Sequence, residues 1–308
     1  MLKRCSFSFK FNLVLFAFFL PALLIAASSG LQAKTVAVQQ TTKSCLWTVE
    51  TPSNKIYLLG SLHLLKQDAY PLTAAIEKAY TDSRIIIFET DIAALQAPNV
   101  QAKLLEMGLY PADQNLLENL NANTRRQLEK KMSQIGLPLA QFSRFKPWFV
   151  ALTLTTLELQ RLGFNPGYGI DVYFFNRAGA DGKEIGFLEP AEFQVNLLGK
   201  MAEQDQNDFL SQTLKDLEVV NTLAGDLVGS WKNGDADKLH DLLSKSFKGY
   251  PHLHDRLLLQ RNKNWIQQIE GALRKDKNVF FVVGAGHLVG PGSVVDLLKK
   301  KGYRVTQQ

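Results

Sequence analysis

Four short runs of apolar, β-branched or aromatic residues constrain this chain most, because each leads into a residue that can do chemistry. The runs are IYLL at 56–59, IIIF at 85–88, IGFL at 185–188 and VFFVV at 279–283. Short continuous apolar runs of this kind read as strands buried on both faces. They are followed by Gly60-Ser61-Leu62-His63, by Glu89, by Glu189 and by Gly284-Ala285-Gly286-His287. Open α/β sheets bind their ligands beyond the carboxyl ends of their strands. If the four strands are parallel neighbours, two histidines and two glutamates converge at one end of a sheet.

The remaining pattern supports such a sheet. Residues 46–50 and 56–59 read as strands around the turn Thr51-Pro52-Ser53-Asn54, and 303–306 reads as a closing strand. Helices are predicted over 71–80, 100–107, 124–135, 147–162, 170–179 and 291–301, the last ending favourably in Lys299-Lys300-Lys301. A mostly polar, helical middle covers about 190–275, broken near Gly234 and at Gly249-Tyr250-Pro251. The expectation is one α/β (α+β) domain over 45–308. Its N- and C-terminal segments share a central mixed sheet, and a large helical insertion caps the site.

Residues 1–33 read as an address rather than as fold. Lys3, Arg4 and Lys10 precede an apolar stretch at 11–27, and Leu31-Gln32-Ala33 has the form of a cleavage site. The stretch, roughly 16 residues, falls short of the ~20 that span a bilayer. A signal peptide cleaved near Ala33 is expected, then a loose leader at 34–44. The protein is expected in the periplasm or secreted, with no stable membrane anchor after cleavage. Its 35 basic and 29 acidic residues give +6, but the three basic residues of the leader account for half of that excess. No basic run is interleaved with aromatics, so nucleic acid is not an expected partner. Cys5 leaves with the leader and Cys45 remains alone, which excludes an intramolecular disulfide and a cysteine-built metal site.

The paired Gly-x-x-His motifs sharpen the site. Glycine permits a close approach of backbone, so each histidine can turn back over its strand end. Nitrogen and oxygen donors of this kind suit Zn, Mn or Co; the same groups could also serve as acid and base. Gly284-Ala285-Gly286 lacks the full dinucleotide fingerprint, and no Gly-Lys-Ser/Thr follows it. Ser61 lacks a G-x-S-x-G elbow. His240, His252 and His254 have weaker contexts, in a helix and a loop.

At this point the residues carry a family resemblance. GSLH, FET and VVGAGHLVG followed by LLKKKGYRV look like the TraB/GumN family, over roughly 45–306. Gly169-Ile170-Asp171, Glu189 with Gln194, and Arg261-Asn262 before Trp265 fit the same pattern. The resemblance implies a fold related to EreA/ChaN-like proteins. Through the TIKI branch, which are membrane-tethered metalloproteases, it implies a divalent-metal-dependent peptidase that requires His63, His287 and Glu89. The tethered role is not expected, since no C-terminal anchor is evident.

On this reading His63 and His287 bind one divalent cation (Mn, Co or Zn), and Glu89 or Glu189 completes its shell. The other glutamate acts as general base. The family landmarks make Arg261 an oxyanion holder and Asp171, Gln194 and Asn262 supporting partners. The substrate is a peptide or a small molecule. A competing reading is a non-enzymatic binding protein for a peptide, iron or haem, for which Tyr168, Tyr173 and His252/His254 are candidates. A third is a partner-binding role for the helical middle. Oligomeric state is not legible.

Overall fold

The structure, a computed structural model, describes residues 43–308. The expected signal peptide, and all of the leader before Lys43, lie outside the described residues. Six strands form one mixed sheet: β1 (Leu46–Glu50), β2 (Lys55–Ser61), β3 (Ile85–Thr90), β4 (Glu184–Glu189), β5 (Val279–Gly284) and β6 (Val305–Gln307). Their order is β4-β3-β5-β2-β1-β6. The first four in that order are parallel, while β1 runs antiparallel to both β2 and β6. The parallel strands are the four apolar runs. Every residue of β5 is buried, as expected for a strand with a neighbour on each side and helices above and below.

Local chemistry explains the turns. The β1–β2 hairpin closes through Thr51, whose hydroxyl donates to Asn54 Oδ1 (2.8 Å) and accepts from the Asn54 amide (3.1 Å). The strands then finish nearly level: Ser61 lies opposite Gly284, and Thr90 opposite Glu189. Both glutamates fall inside their strands, one residue beyond the apolar runs.

Helix α1 (Ala74–Asp82), capped by Thr73, connects β2 to β3. Between β3 and β4 run α2 (Ile92–Gln96), α3 (Pro98–Gly108), α4 (Ala122–Gln134), α5 (Pro147–Arg161) and α6 (Ile170–Ala180). Between β4 and β5 run α7 (Ala191–Gly199), α8 (Glu203–Glu218), α9 (Val220–Lys232), α10 (Ala236–Ser246), α11 (Pro251–His254) and α12 (Gln260–Leu273). A π turn, Asp255–Leu259, joins α11 to α12. Helix α13 (Val294–Lys300) leads to β6.

The main core joins the sheet to α1, α6, α12 and α13 through Tyr80, Phe174, Trp265 and Leu298. The helical material is therefore larger than expected. It comprises two insertions, 92–180 and 191–273, which pack on one another. Leu104 and Trp148 share a cluster with Val195, and Leu128 and Leu154 share another with Leu210. Breaks such as Gly136 and Pro138 make 98–161 read as separate short helices, and only their long-range pairing with α7 and α8 makes them a unit. No helix among the described residues is long and apolar enough to cross a membrane.

Candidate active site

The sheet end gathers the two strand-end histidines, the two glutamates and the family-landmark residues Asp171, Gln194, Arg261 and Asn262. Strand β2 exits through Ser61 to His63, and the Ile170 amide donates to the Leu62 carbonyl (3.1 Å), fixing the start of α6 there. Gly169 is required at this crossing, because a Cβ would collide with the His63 carbonyl. Asp171, in the first turn of α6, thereby reaches His63. Strand β3 delivers Glu89 and β4 delivers Glu189. A single 3-10 turn after β5 carries His287. Helix α7 brings Gln194, and α12 brings Arg261, Asn262 and Trp265.

Arg261 is the hub of this end, with 1% of its surface exposed. Its Nε donates to Glu189 Oε1 and Oε2 (2.9 and 3.1 Å). Nη2 donates to Glu189 Oε2 (2.8 Å) and Glu89 Oε2 (2.7 Å). Nη1 donates to the Leu257 carbonyl (3.1 Å), in the π turn, and to His287 Nε2 (3.0 Å). A guanidinium has five N–H groups, and all are engaged. Arg261 in this arrangement is a tie between β3, β4, β5 and α12, and the expected oxyanion role has no donor left to serve it.

Glu189 is likewise committed. Arg261 holds both its oxygens, and Trp265 Nε1 donates to Oε1 (2.8 Å). In this arrangement it anchors Arg261, where the sequence pattern led to an expected ligand or base. Burial pushes its carboxyl up from the ordinary range, against the pull of Arg261. Glu89 goes the other way. Burial works against its charge, but Arg261, the histidines and the Gly284 amide outweigh it and hold the carboxyl down at about 2. Oε1 of Glu89 accepts from that amide (2.5 Å), and Gln194 Nε2 approaches Oε2 (3.4 Å).

The two histidines stand in opposite states. The Asn262 carboxamide donates to the Gly292 carbonyl (2.9 Å), so its Oδ1 faces His287 Nδ1 (2.6 Å) as an acceptor. That places the proton of His287 on Nδ1 and leaves Nε2 to accept from Arg261. Burial, with Arg261 and His63 nearby, lowers this imidazole to about 3. His63 directs Nδ1 at Asp171 Oδ2 (2.8 Å). Burial lowers it too, but the Asp171 carboxylate prevails and lifts it to about 9. His63 Nε2 takes no hydrogen bond among the described residues.

That nitrogen lies beside a partly enclosed cavity of about 20 Å³, bordered by Ser61, Glu89, Thr90, Asp171 and Gln194. Gly284 opens the space: the point where a Cβ would stand is 3.0 Å from Glu89 Oε1 and 3.7 Å from His63 Nε2. Two donor atoms thus face one gap, and a carboxylate behind the imidazole orients it, as is common around metal-binding histidines. The residues fit a cation through His63 and Glu89. They do not fit one through His287, whose Nε2 is held by Arg261. Among the described residues, no group of three or more His, Cys, Asp or Glu side chains is arranged to hold a metal.

The remaining candidates lie elsewhere. His254, with His252 in α11, packs its ring against Phe247. Tyr173 packs on Tyr70, which also donates to the Tyr168 carbonyl (2.8 Å). Sequence reasoning missed Thr90 and gave Trp265 no role at the site. Thr90 follows Glu89 in the FET motif, and its signal was its position as the last residue of the same strand.

Residues 45–307 match the TraB/PrgY/gumN family. The chain is 26% identical to the uncharacterised protein YbaP of Escherichia coli (strain K12) over 82% of this chain and 90% of that protein. It is 23% identical to metalloprotease TIKI2 of Danio rerio over 87% of this chain and 61% of that one. With human metalloprotease TIKI1 it shares 23% identity over 87% of this chain and 62% of that one. The chain therefore spans less than two thirds of each of these two TIKI proteins. No solved structure matches, and the EreA/ChaN-like likeness is not supported on that side.

Proposed function

The chain belongs to the TraB/PrgY/gumN family, and from that premise we propose that it is a divalent-metal-dependent hydrolase of peptides. Relatives named metalloproteases support the class. The observation that carries the reading is His63 Nε2, unpartnered and oriented by Asp171, facing Glu89 Oε1 across the gap at Gly284. His63 and Glu89 would hold the ion. A bound divalent ion supplies a water whose pKa falls from ~15.7 towards 7.

The protein's own groups prepare that chemistry. Asp171 accepts from His63 Nδ1 and so turns Nε2 to the gap; the imidazole, lifted to about 9, would give up its Nε2 proton to an incoming ion and so become a ligand. Arg261 takes Glu89 Oε2, which turns Oε1 to the gap and keeps the carboxylate charged. Glu189 and Trp265 hold Arg261 in place, and Asn262 and His287 complete its setting. We place the protein outside the cytoplasm, on the strength of residues 1–33.

The test is elemental analysis of the purified protein after exposure to Mn, Co or Zn, followed by a peptide-library cleavage screen. Near-stoichiometric metal that is lost in both His63→Ala and Glu89→Gln, with cleavage lost alongside, is the expected result. A folded wild type that takes up none of the three metals would overturn the reading in favour of a binding protein.

A further inference from the structure

The cavity beside His63 carries an unanswered polar demand. Ser61 Oγ, Thr90 Oγ1 and Asp171 Oδ1 are all buried and have no hydrogen-bond partner. All three residues border the same cavity as His63 and Glu89. Ser61 and Thr90 are 2% and 5% exposed, so bulk water does not satisfy them. Buried polar atoms are nearly always paired, and each exception calls for an explanation. Other unpaired atoms are scattered through the described residues, but these three meet at one cavity: Ser61 and Thr90 end β2 and β3, which flank β5, and Asp171 stands in the first turn of α6.

We propose that Ser61, Thr90 and Asp171 form the seat of a single water, the nucleophile of the hydrolysis proposed above. The size fits: about 20 Å³ exceeds the ~10–15 Å³ that one water needs, and buried waters are held by two to four polar partners. The chemistry fits as well. Asp171 Oδ1 only accepts, so the occupant must donate to it. The two hydroxyls rotate and can donate or accept, so they can meet the water's lone pairs. An anion is disfavoured by the carboxylates of Asp171 and Glu89. Phe88, Ile92, Leu95 and Val282 complete the wall and leave no further polar partner on that side.

Asp171 then has two tasks on one carboxylate. Oδ2 fixes His63, while Oδ1 fixes the water, so the imidazole and the nucleophile are aligned by the same group. Ser61 takes part as a holder of water, not as a nucleophile. The proposal rests on the hydrolase reading for the water's role, and on geometry alone for the seat.

The experiment is a high-resolution crystal structure of the wild type and of Ser61→Ala/Thr90→Val, with steady-state kinetics on a cleaved peptide. The expected wild-type density is one water bonded to Ser61, Thr90 and Asp171. The double variant should lose it, keep its metal content, and fall 10- to 100-fold in kcat with KM within twofold. The conservative pair Ser61→Thr and Thr90→Ser should restore most of the rate. A dry cavity with both hydroxyls turned to backbone carbonyls would overturn the seat, as would an ion in place of the water. Unchanged kcat in the double variant would overturn its catalytic use. A seated water in a protein that cleaves no peptide supports the seat and counts against the hydrolase reading, which separates the two failures.

Discussion

The ends of β2 and β5 carry the same motif and have opposite chemistry. Both present Gly-x-x-His after a buried parallel strand. At the β2 end the imidazole leans on a carboxylate, keeps Nε2 open and is lifted to about 9. At the β5 end it leans on a neutral carboxamide, meets a guanidinium at Nε2 and is lowered to about 3. A repeated motif thus fixes where a histidine stands but not what it does. The partner behind Nδ1 and the charge in front of Nε2 decide that, and both come from helices remote in sequence.

Removing the charge in front should break the comparison most strongly. Arg261→Met leaves Glu89 and Glu189 buried without a cation, and loss of one partner of a buried pair costs about 3–5 kcal/mol. Urea unfolding should show that loss, and adding Glu89→Gln and Glu189→Gln should recover much of it. A variant within about 1 kcal/mol of the wild type, the range of ordinary surface changes, would show that Arg261 does not tie this end together.

Acid and alkali should separate the two imidazoles in chelator-treated protein. His63 has a folded pKa of about 9, above the ordinary 6.5. Its contribution is complete below 6.5 and lost as pH rises through 9, on the order of 3 kcal/mol. His287, at about 3, stays neutral in the fold while the unfolded chain takes up a proton below 6.5. Its contribution is present above 6.5 and lost as pH falls towards 3. His63→Gln should flatten the alkaline limb of the stability profile and His287→Gln the acid limb. Two proton-NMR titrations near 6.5 would erase the contrast.

Changing the partner behind each ring should give the smallest effects. Asn262→Ala strands a buried N–H of His287 and should cost about 2 kcal/mol in thermal or urea unfolding. Measured at about pH 10, where His63 is neutral in both proteins, Asp171→Asn can still accept from it, in a less buried setting, and should cost about 1 kcal/mol. Its clearer signature is a His63 titration that drops back towards 6.5. Equal costs for the two substitutions would mean that the ends do not differ in the way described.

The legible part of the molecule was what short-range pattern determines. Runs such as IIIF and VFFVV have no stable place except between two neighbours, so the parallel strands and the residues that follow them could be read directly. The convergence of His63, Glu89, Glu189 and His287 came with that reading. The role of Arg261 did not, because it depends on how α12 crosses the sheet and on the carbonyl that the π turn offers at Leu257. Nor could the anchoring of Glu189 be separated from catalysis, since the same side chain at the same strand end serves either purpose. Asp171, Gln194 and Asn262 entered only through family resemblance; nothing in their own spacing marks them.

At the far edge of the sheet, the Ser44 amide donates to the Gln308 carbonyl (2.5 Å), and β1 pairs with β6 antiparallel. A load applied between those two residues would act across the ladder, on bonds that run perpendicular to the strands. They would open in sequence, like a zipper, with β6 peeling away first and β1 next. The four parallel strands that carry the chemistry would feel the force last. Handles attached at these ends would therefore report the strength of the edge strands well before they disturbed the centre.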